Sequence, residues 1–387
     1  MNYIFISPDF PSNFKQFSIR LNEEGVNVLG IGSQDYDNLE YDLKLSLKEY
    51  YKVDNMENYD EVLRAVAFLT FKYGKIHRIE SHNEYWLGLD ARLRTDFNVI
   101  GFKSDEIGFV KQKSKMKEIF QKAGITVAKG RVVKDINDAM DLIFETGYPV
   151  CAKPDKGVGA SFTYKINNED ELRKFFNTKP DMDFIMEEFI SADILTFDGL
   201  VDLEGNISIL SSMAYGSGIM ETVNEGLDSI FYVQRFIPED AMDMGKKIIE
   251  AFNLKERFFH FEYFRLEDNN LIALELNARP PGGLCLETIN YSMDADVYKQ
   301  YAKVVAGRTP DPLLERAYYC AFIGLKTSLH PLIHTKDEIY SKYGHMIVYD
   351  APNPEIFVAA MGENAIIIRS PDLDYLKEAV EFITRRY

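Results

Sequence analysis

The segment 258–283, FFHFEYFRLEDNNLIALELNARPPGG, constrains this chain more than any other. It predicts two strands joined by a tight polar turn at Glu267-Asp268-Asn269-Asn270. With Leu266 set against Leu271 across that turn, Glu262 falls opposite Glu275 and His260 opposite Asn277. Strand residues two apart share a face, so all four side chains line one surface. Two carboxylates directly opposite on a sheet repel each other, and the pair calls for a cation between them. Carboxylate and amide oxygens without thiols suit Mg²⁺ best. Arg279 follows two residues after Asn277, where a planar, always-charged guanidinium can hold a phosphate or carboxylate beside the metal. The pattern is that of a chain that handles a Mg²⁺-bound nucleotide.

A chain of 387 residues is expected to form two to four domains. Its net charge of −17 argues against nucleic acid or an anionic membrane as main partner. It does not argue against ATP, because a small pocket can be locally basic, and lysines cluster at 111, 113, 115 and 117. Cys151, Cys285 and Cys320 are far apart and odd in number, as expected of a reducing cytoplasm. The N-terminal MNYIFISPDF reads as a strand rather than a signal peptide, and no run approaches the ~20 apolar residues of a membrane span.

The first ~100 residues alternate strand and helix (3–7, 14–24, 26–31), which predicts a parallel α/β layer. The loop Ser7-Pro8-Asp9-Phe10-Pro11 has no glycine fingerprint, so a dinucleotide is not expected there. Apolar residues at helical spacing predict one helix over 105–123, stopped by Gly124. Strands are expected near 126–133, 150–153, 183–189, 319–326 and 365–369, and helices near 136–146, 240–252 and 373–384.

Lys153 ends a strand just before Asp155-Lys156-Gly157-Val158-Gly159-Ala160-Ser161. Gly157 and Gly159 let backbone N–H groups approach an anion, with Lys156 and Ser161 as further donors. The same loop is also a plain hairpin turn, since GVGASF is neither a P-loop nor a complete G-x-G-x-x-G. Alone, Lys113 reads as part of a solvated helix face, and Met186-Glu187-Glu188-Phe189-Ile190 as an ordinary edge strand. His260 either supports the metal rung or packs within its strand. The loop 214–225 either closes over substrate, with Glu221 as its most interesting side chain, or crosses the surface. His330 and His334 are separated by Pro331, which speaks against a shared metal face. No base is paired with Cys285, so it is not read as a nucleophile.

Taken in order, lysine helix, lysine strand, glycine loop, Glu-Glu strand, acidic hairpin and arginine resemble the ATP-grasp superfamily over roughly 104–298, in particular its carboxylate–amine ligases and the carbamoyl-phosphate synthetase large subunit. The first hundred residues resemble the domain that precedes ATP-grasp in this group. The resemblance implies an α/β fold in four parts: a Rossmann-like domain at 1–104, a first ATP-grasp subdomain with the phosphate flap at 105–190, a second with the metal site at 191–300, and a small α/β cap at 301–387. In KSKMKEIFQKAG, Lys113 is similar to the family's first nucleotide lysine, and Lys153 in YPVCAKP to the second, which reaches the phosphates. The loop 155–161 is similar to the mobile flap. Glu187, Glu188 and the backbone of Ile190 match the adenine-binding hinge, and Asp193 takes the ribose-binding place, where relatives commonly have Glu. Glu262, Glu275 and Asn277 match the Mg²⁺ ligands, and Arg279 the residue that steadies an acyl phosphate. Gly282 and Gly283 match a stretch that offers N–H groups to a substrate carboxylate.

What the resemblance implies is an enzyme that uses ATP and two Mg²⁺ ions, with Mn²⁺ as a substitute. It would join a small-molecule carboxylate to an amine through an acyl phosphate. The alternatives are phosphorylation of bicarbonate or formate, or a nucleotide-binding module without turnover. A homodimer is compatible with the chain, but no feature demonstrates one.

Overall fold

The computed structural model describes residues 1–157, 162–216, 226–312, 316–328 and 331–387. Gly159, Ser161, Glu221 and His330 lie outside the described residues. Three sheets organise the rest. The first is parallel, in the order Glu49–Lys52, Asn27–Gly32, Asn2–Ile6, Arg78–Glu80. Its central strand NYIFI is buried throughout, as a strand covered on both faces must be. The second is antiparallel: Gly130–Val133, Phe184–Glu188, Val150–Pro154, Tyr164–Ile166. Phe184–Glu188 is therefore an interior strand, not the edge strand its sequence alone predicts.

The third sheet has nine strands. Arg257–Arg265 sits between Leu271–Asn277 and Asp193–Val201, so the predicted hairpin has a third strand on its far side. Tyr319–Leu325, Asn364–Ser370 and Ile347–Pro352 extend the same sheet at its other end.

The hairpin differs from its predicted register near the turn. Arg265, not Leu266, pairs with Leu271, and the register shifts between Glu262 and Tyr263. Leu274 is the extra residue of a β-bulge. Beyond it Glu262 faces Glu275 and His260 faces Asn277. Side chains alternate between faces, so continuing the turn's register would put Leu274 opposite Glu262 and send Glu275 to the other face. The predicted metal rung forms because the bulge corrects an offset that the turn introduces.

The helix expected over 105–123 is two helices, Gly108–Lys111 and Lys113–Lys122, separated by Gln112 in an extended conformation. The interruption comes from Asp155. Its carboxylate accepts Ser114 N–H at 2.7 Å and Ser114 Oγ–H at 2.9 Å, and its carbonyl accepts Lys113 N–H at 2.9 Å. An anion at a helix N-terminus satisfies orphan donors and the helix dipole together. It also fixes where Lys113 begins the second helix. Elsewhere prediction and structure agree closely, as in Ile136–Thr146, capped by Asp135 through Asn137 N–H and Asp138 N–H, and Leu373–Thr384.

The parallel layer and the large sheet share one core. Phe5, Phe14 and Phe17 pack with Phe258, Tyr298 and Tyr301. Phe17 lies edge-on to Tyr298 at 4.7 Å and to Tyr301 at 5.4 Å. Such pairs contribute ~0.5–1.5 kcal/mol each beyond their buried area, which binds the first layer to the back of the acidic hairpin.

Candidate active site

Four elements converge on the hairpin face. Lys113 is buried, with Nζ 3.3 Å from Glu275 Oε1, so it belongs to the site and not to a solvated face. Lys153, also buried, lies 2.8 Å from Glu187 Oε2. Lys117 reaches the other oxygen of Glu187 at 2.5 Å. Burial opposes the charge on Lys153, but Glu187 and Glu275 outweigh it and the ammonium pKa is raised. Burial likewise works against the Glu187 carboxylate, and the two lysines hold its pKa below the ordinary value. Gly130 makes room for this carboxylate: a Cβ there would stand 2.6 Å from Glu187 Cγ.

Glu262 is backed by a buried pair. His260 Nδ1 lies 2.5 Å from Asp198 Oδ1, and its Nε2 lies 3.6 Å from Glu262 Oε1. Burial lowers the imidazole pKa, but Asp198 and Glu262 raise it further, to about 9. His260 therefore supports the rung as an imidazolium. Burial disfavours the Glu262 charge, but His260, Arg279 and Lys153 lower its pKa, leaving it ionised.

Arg279 donates from Nε to Glu84 Oε2 at 3.0 Å and from Nη2 to Asn277 Oδ1 at 3.3 Å. Among the described residues, no three His, Cys, Asp or Glu side chains form a metal cage by themselves. Two carboxylates and one amide on adjacent rungs are an incomplete set of hard oxygen donors. That fits Mg²⁺, which keeps several positions for phosphate oxygens and water.

The remaining expected residues are arranged less uniformly. Glu188 is occupied structurally, accepting Lys129 N–H at 2.8 Å. Ile190 follows the strand end, with its backbone bonded to no described residue. Asp193 is exposed and pairs with Arg265 in the ladder. Lys156 and Gly157 are exposed, and among the described residues a Cβ on Gly157 would meet only Pro154, at 3.4 Å. Gly282 is exposed. Gly283 has φ +57° and is pressed against the C-terminal segment, where a Cβ would lie 2.1 Å from Met361 Sδ. Neither glycine N–H donates to a described residue.

Sequence reasoning missed Lys117, Asp198 and Glu84. Asp198 left a trace, as the only acid inside the apolar run ILTFDGLV. Lys117 was one of four clustered lysines, and only the fold shows which of them turn inward. Glu84 carried no signal.

An ATP-grasp domain model matches residues 146–288. The chain is 22% identical over 270 residues to an L-arginine-specific L-amino acid ligase of Bacillus subtilis, covering 67% of this chain and 65% of that protein. It is 22% identical over 231 residues to the C-terminal section of the carbamoyl phosphate synthase large chain of Methanopyrus kandleri, covering 56% and 41%. It thus spans less than two thirds of either relative. An L-amino acid ligase from Bacillus licheniformis superposes with a TM-score of 0.73 at 13% identity, covering 98% of this chain and 96% of the other. N5-carboxyaminoimidazole synthetase from Staphylococcus aureus does so with the same score and coverage at 16% identity. Residues 146–288 thus match an ATP-grasp domain, and the chain shares the fold of these ligase and synthetase structures.

Proposed function

We propose that this protein is an ATP- and Mg²⁺-dependent carboxylate–amine ligase that forms an amide and releases ADP and phosphate. The observation that carries the reading is the Glu262–Glu275 rung, with Asn277 and Arg279 beside it and Lys113 and Lys153 at the same site. Glu262, Glu275 and Asn277 would hold two Mg²⁺ ions, with Mn²⁺ as a substitute. When bound, the metal supplies charge neutralisation on the phosphates and aligns them for transfer. Lys113 and Lys153 would exchange their carboxylate partners for phosphate oxygens, with Gly157, Gly159, Lys156 and Ser161 closing from the flap side. Glu187, Glu188, the Ile190 backbone and Asp193 form the proposed nucleoside side.

The chemistry then needs positioning and charge stabilisation rather than a protein nucleophile. The substrate carboxylate attacks the γ-phosphorus, the bond to ADP breaks, and an acyl phosphate results. Arg279 steadies it, held in place by Glu84. The amine attacks the acyl carbon, phosphate leaves, and the amine loses its proton to solvent. Gly282 and Gly283 would offer their N–H groups to a substrate carboxylate, and Glu221 is proposed to face the substrate. The protein is further proposed to act in the cytoplasm and to pair as a homodimer.

The test is ADP and phosphate release from Mg²⁺-ATP with pooled amino acids, other carboxylates and amines. Release that requires two pooled components together establishes the ligase. Release with bicarbonate or formate alone moves the protein to the class that phosphorylates those acids. ATP binding without release under any condition overturns the enzyme reading.

A further inference from the structure

A cavity of about 910 Å³ opens beside Gly283, four residues past Arg279. Three separate parts of the chain wall it: 11–20, 283–298 with the helix Cys285–Met293, and 349–361. Its lining is mixed, with apolar walls at Leu284, Tyr291, Tyr349, Phe357 and Met361 among polar and charged residues. The charged groups at its rim are already matched. Arg20 is held by Asp296 at 2.6 Å, Lys15 is held by Glu40, and Asp294 by Arg369.

Glu287 is the exception. Its carboxylate accepts Asn13 Nδ2–H at 3.1 and 3.2 Å and the Tyr298 hydroxyl, all neutral donors. Among the described residues it forms no ion pair, although it lines the cavity wall. Burial raises its pKa, which the bonds from Tyr298 and Asn13 only partly offset. A carboxylate in that position is short of a positive partner, and the adjoining space is large enough to admit one. Asn13 also donates to Gly283 O at 3.1 Å, so the side chain that orients Glu287 is tied to the loop four residues past Arg279.

We propose that this cavity is the amine subsite, that Glu287 takes the substrate ammonium, and that the substrate is a primary amine with a bulky apolar group rather than ammonia. The assignment rests on the ligase reading for its role and on the cavity alone for its chemistry. Pockets of ~300–1,000 Å³ suit small organic ligands, and ammonia would leave this one almost empty. Glu287 would hold the ammonium by one charged bond and take one of its protons, freeing the lone pair that attacks the acyl carbon, with the second proton lost to solvent, while the aromatic and methionine walls take the apolar group.

Calorimetry with 2-phenylethylamine, leucinamide, methylamine and the neutral 2-phenylethanol separates the two readings, because it needs no turnover. The two bulky amines are expected to bind, and methylamine and the alcohol at least tenfold more weakly. Glu287→Gln keeps the size and most hydrogen bonds. It is expected to weaken the bulky amines at least tenfold and to leave Mg²⁺-ATP affinity unchanged. Phe357→Ala, at a less buried position, should weaken 2-phenylethylamine but not methylamine. Equal binding of amine and alcohol, binding indifferent to Glu287→Gln, or no binding of any bulky amine overturns the proposal. So does ligase turnover that accepts ammonia alone, which would leave the ligase reading standing. Glu287-dependent amine binding in a protein that never releases ADP would uphold the subsite and sink the ligase.

Discussion

Two clusters of buried charge grow from one strand, Arg257–Arg265, and are built differently. At its start, Arg257 donates to Ala278 O at 2.9 Å and to Glu80 at 3.3 Å; Arg94 holds the other oxygen of Glu80 at 2.7 Å; and Arg78 pairs with Glu256. This cluster ties the parallel layer to the hairpin. Five residues on, at Glu262, the second cluster begins, with Lys113, Lys117, Lys153 and Arg279 against Glu187, Glu262 and Glu275. Every cation of the first cluster is an arginine, whose planar fork locks carboxylates and carbonyls in fixed geometry. Besides the His260 imidazolium, the cations of the second are Arg279 and three lysines, compact charges on flexible stems that change partners readily. The first is a permanent joint. In the proposed ligase the second holds its charges in provisional pairs until a nucleotide arrives.

That contrast can be broken experimentally. The largest effect is expected from Glu275→Gln, which should lower turnover on the order of 10³-fold or more while leaving thermal unfolding nearly unchanged. Normal metal-dependent activity in the purified variant would remove the metal assignment. Arg257→Leu should do the reverse, costing ~3–5 kcal/mol in denaturant unfolding by stranding part of Glu80. Lys117→Met should cost far less, because Glu187 keeps Lys153. Equal losses in the two variants would erase the distinction between joint and provisional site.

Mg²⁺-ATP at about 100 times its Kd should stabilise the wild type by ~2.7 kcal/mol. Differential scanning fluorimetry should find that protection kept in Arg257→Leu and lost in Glu275→Gln. Protection lost in both would mean the joint is part of the binding site.

The smallest effect concerns pH. Burial pushes the Asp90 carboxyl up; Arg94 opposes this, Glu80 adds to it, and the pKa settles at about 7. The folded pKa lies above the unfolded value of about 3.9, so the folded state holds this proton more tightly. Its contribution to stability is fully present below pH ~4 and is lost as pH rises to ~7. Asp90→Asn should flatten the stability profile in that window, and an unchanged slope would show that Asp90 ionises normally.

Much of the fold was legible because it rests on local rules. Asp135 before Ile136 and Gly147 after Thr146 bound a helix by capping alone. What was not legible depends on distant partners. The break at Gln112 is imposed by Asp155, far along the chain. Phe184–Glu188 reads as an edge strand because its sequence cannot show that Gly130–Val133 closes the other side. At the site, the acidic hairpin and the two nucleotide lysines could be expected from order along the chain. Asp198 and Glu84 could not, since each gains its place only when another element lays His260 or Arg279 against it.

The bulge at Leu274 makes the hairpin's two ends independent in parity. Along a strand, each residue has one of two phases, and a simple hairpin transmits the phase set at its turn to every position beyond. Here the phase is reset between the turn and the metal rung. Closing the bulge with Leu274 in place would set Leu274 opposite Glu262 and turn Glu275 to the other face, whereas deleting Leu274 would straighten the ladder and keep Glu262 opposite Glu275. Rebuilding the turn 266–270 in a way that preserves the Arg265–Leu271 pair would leave the rung untouched. The rung therefore depends less on the turn nearest to it than on where along the ladder the register slips.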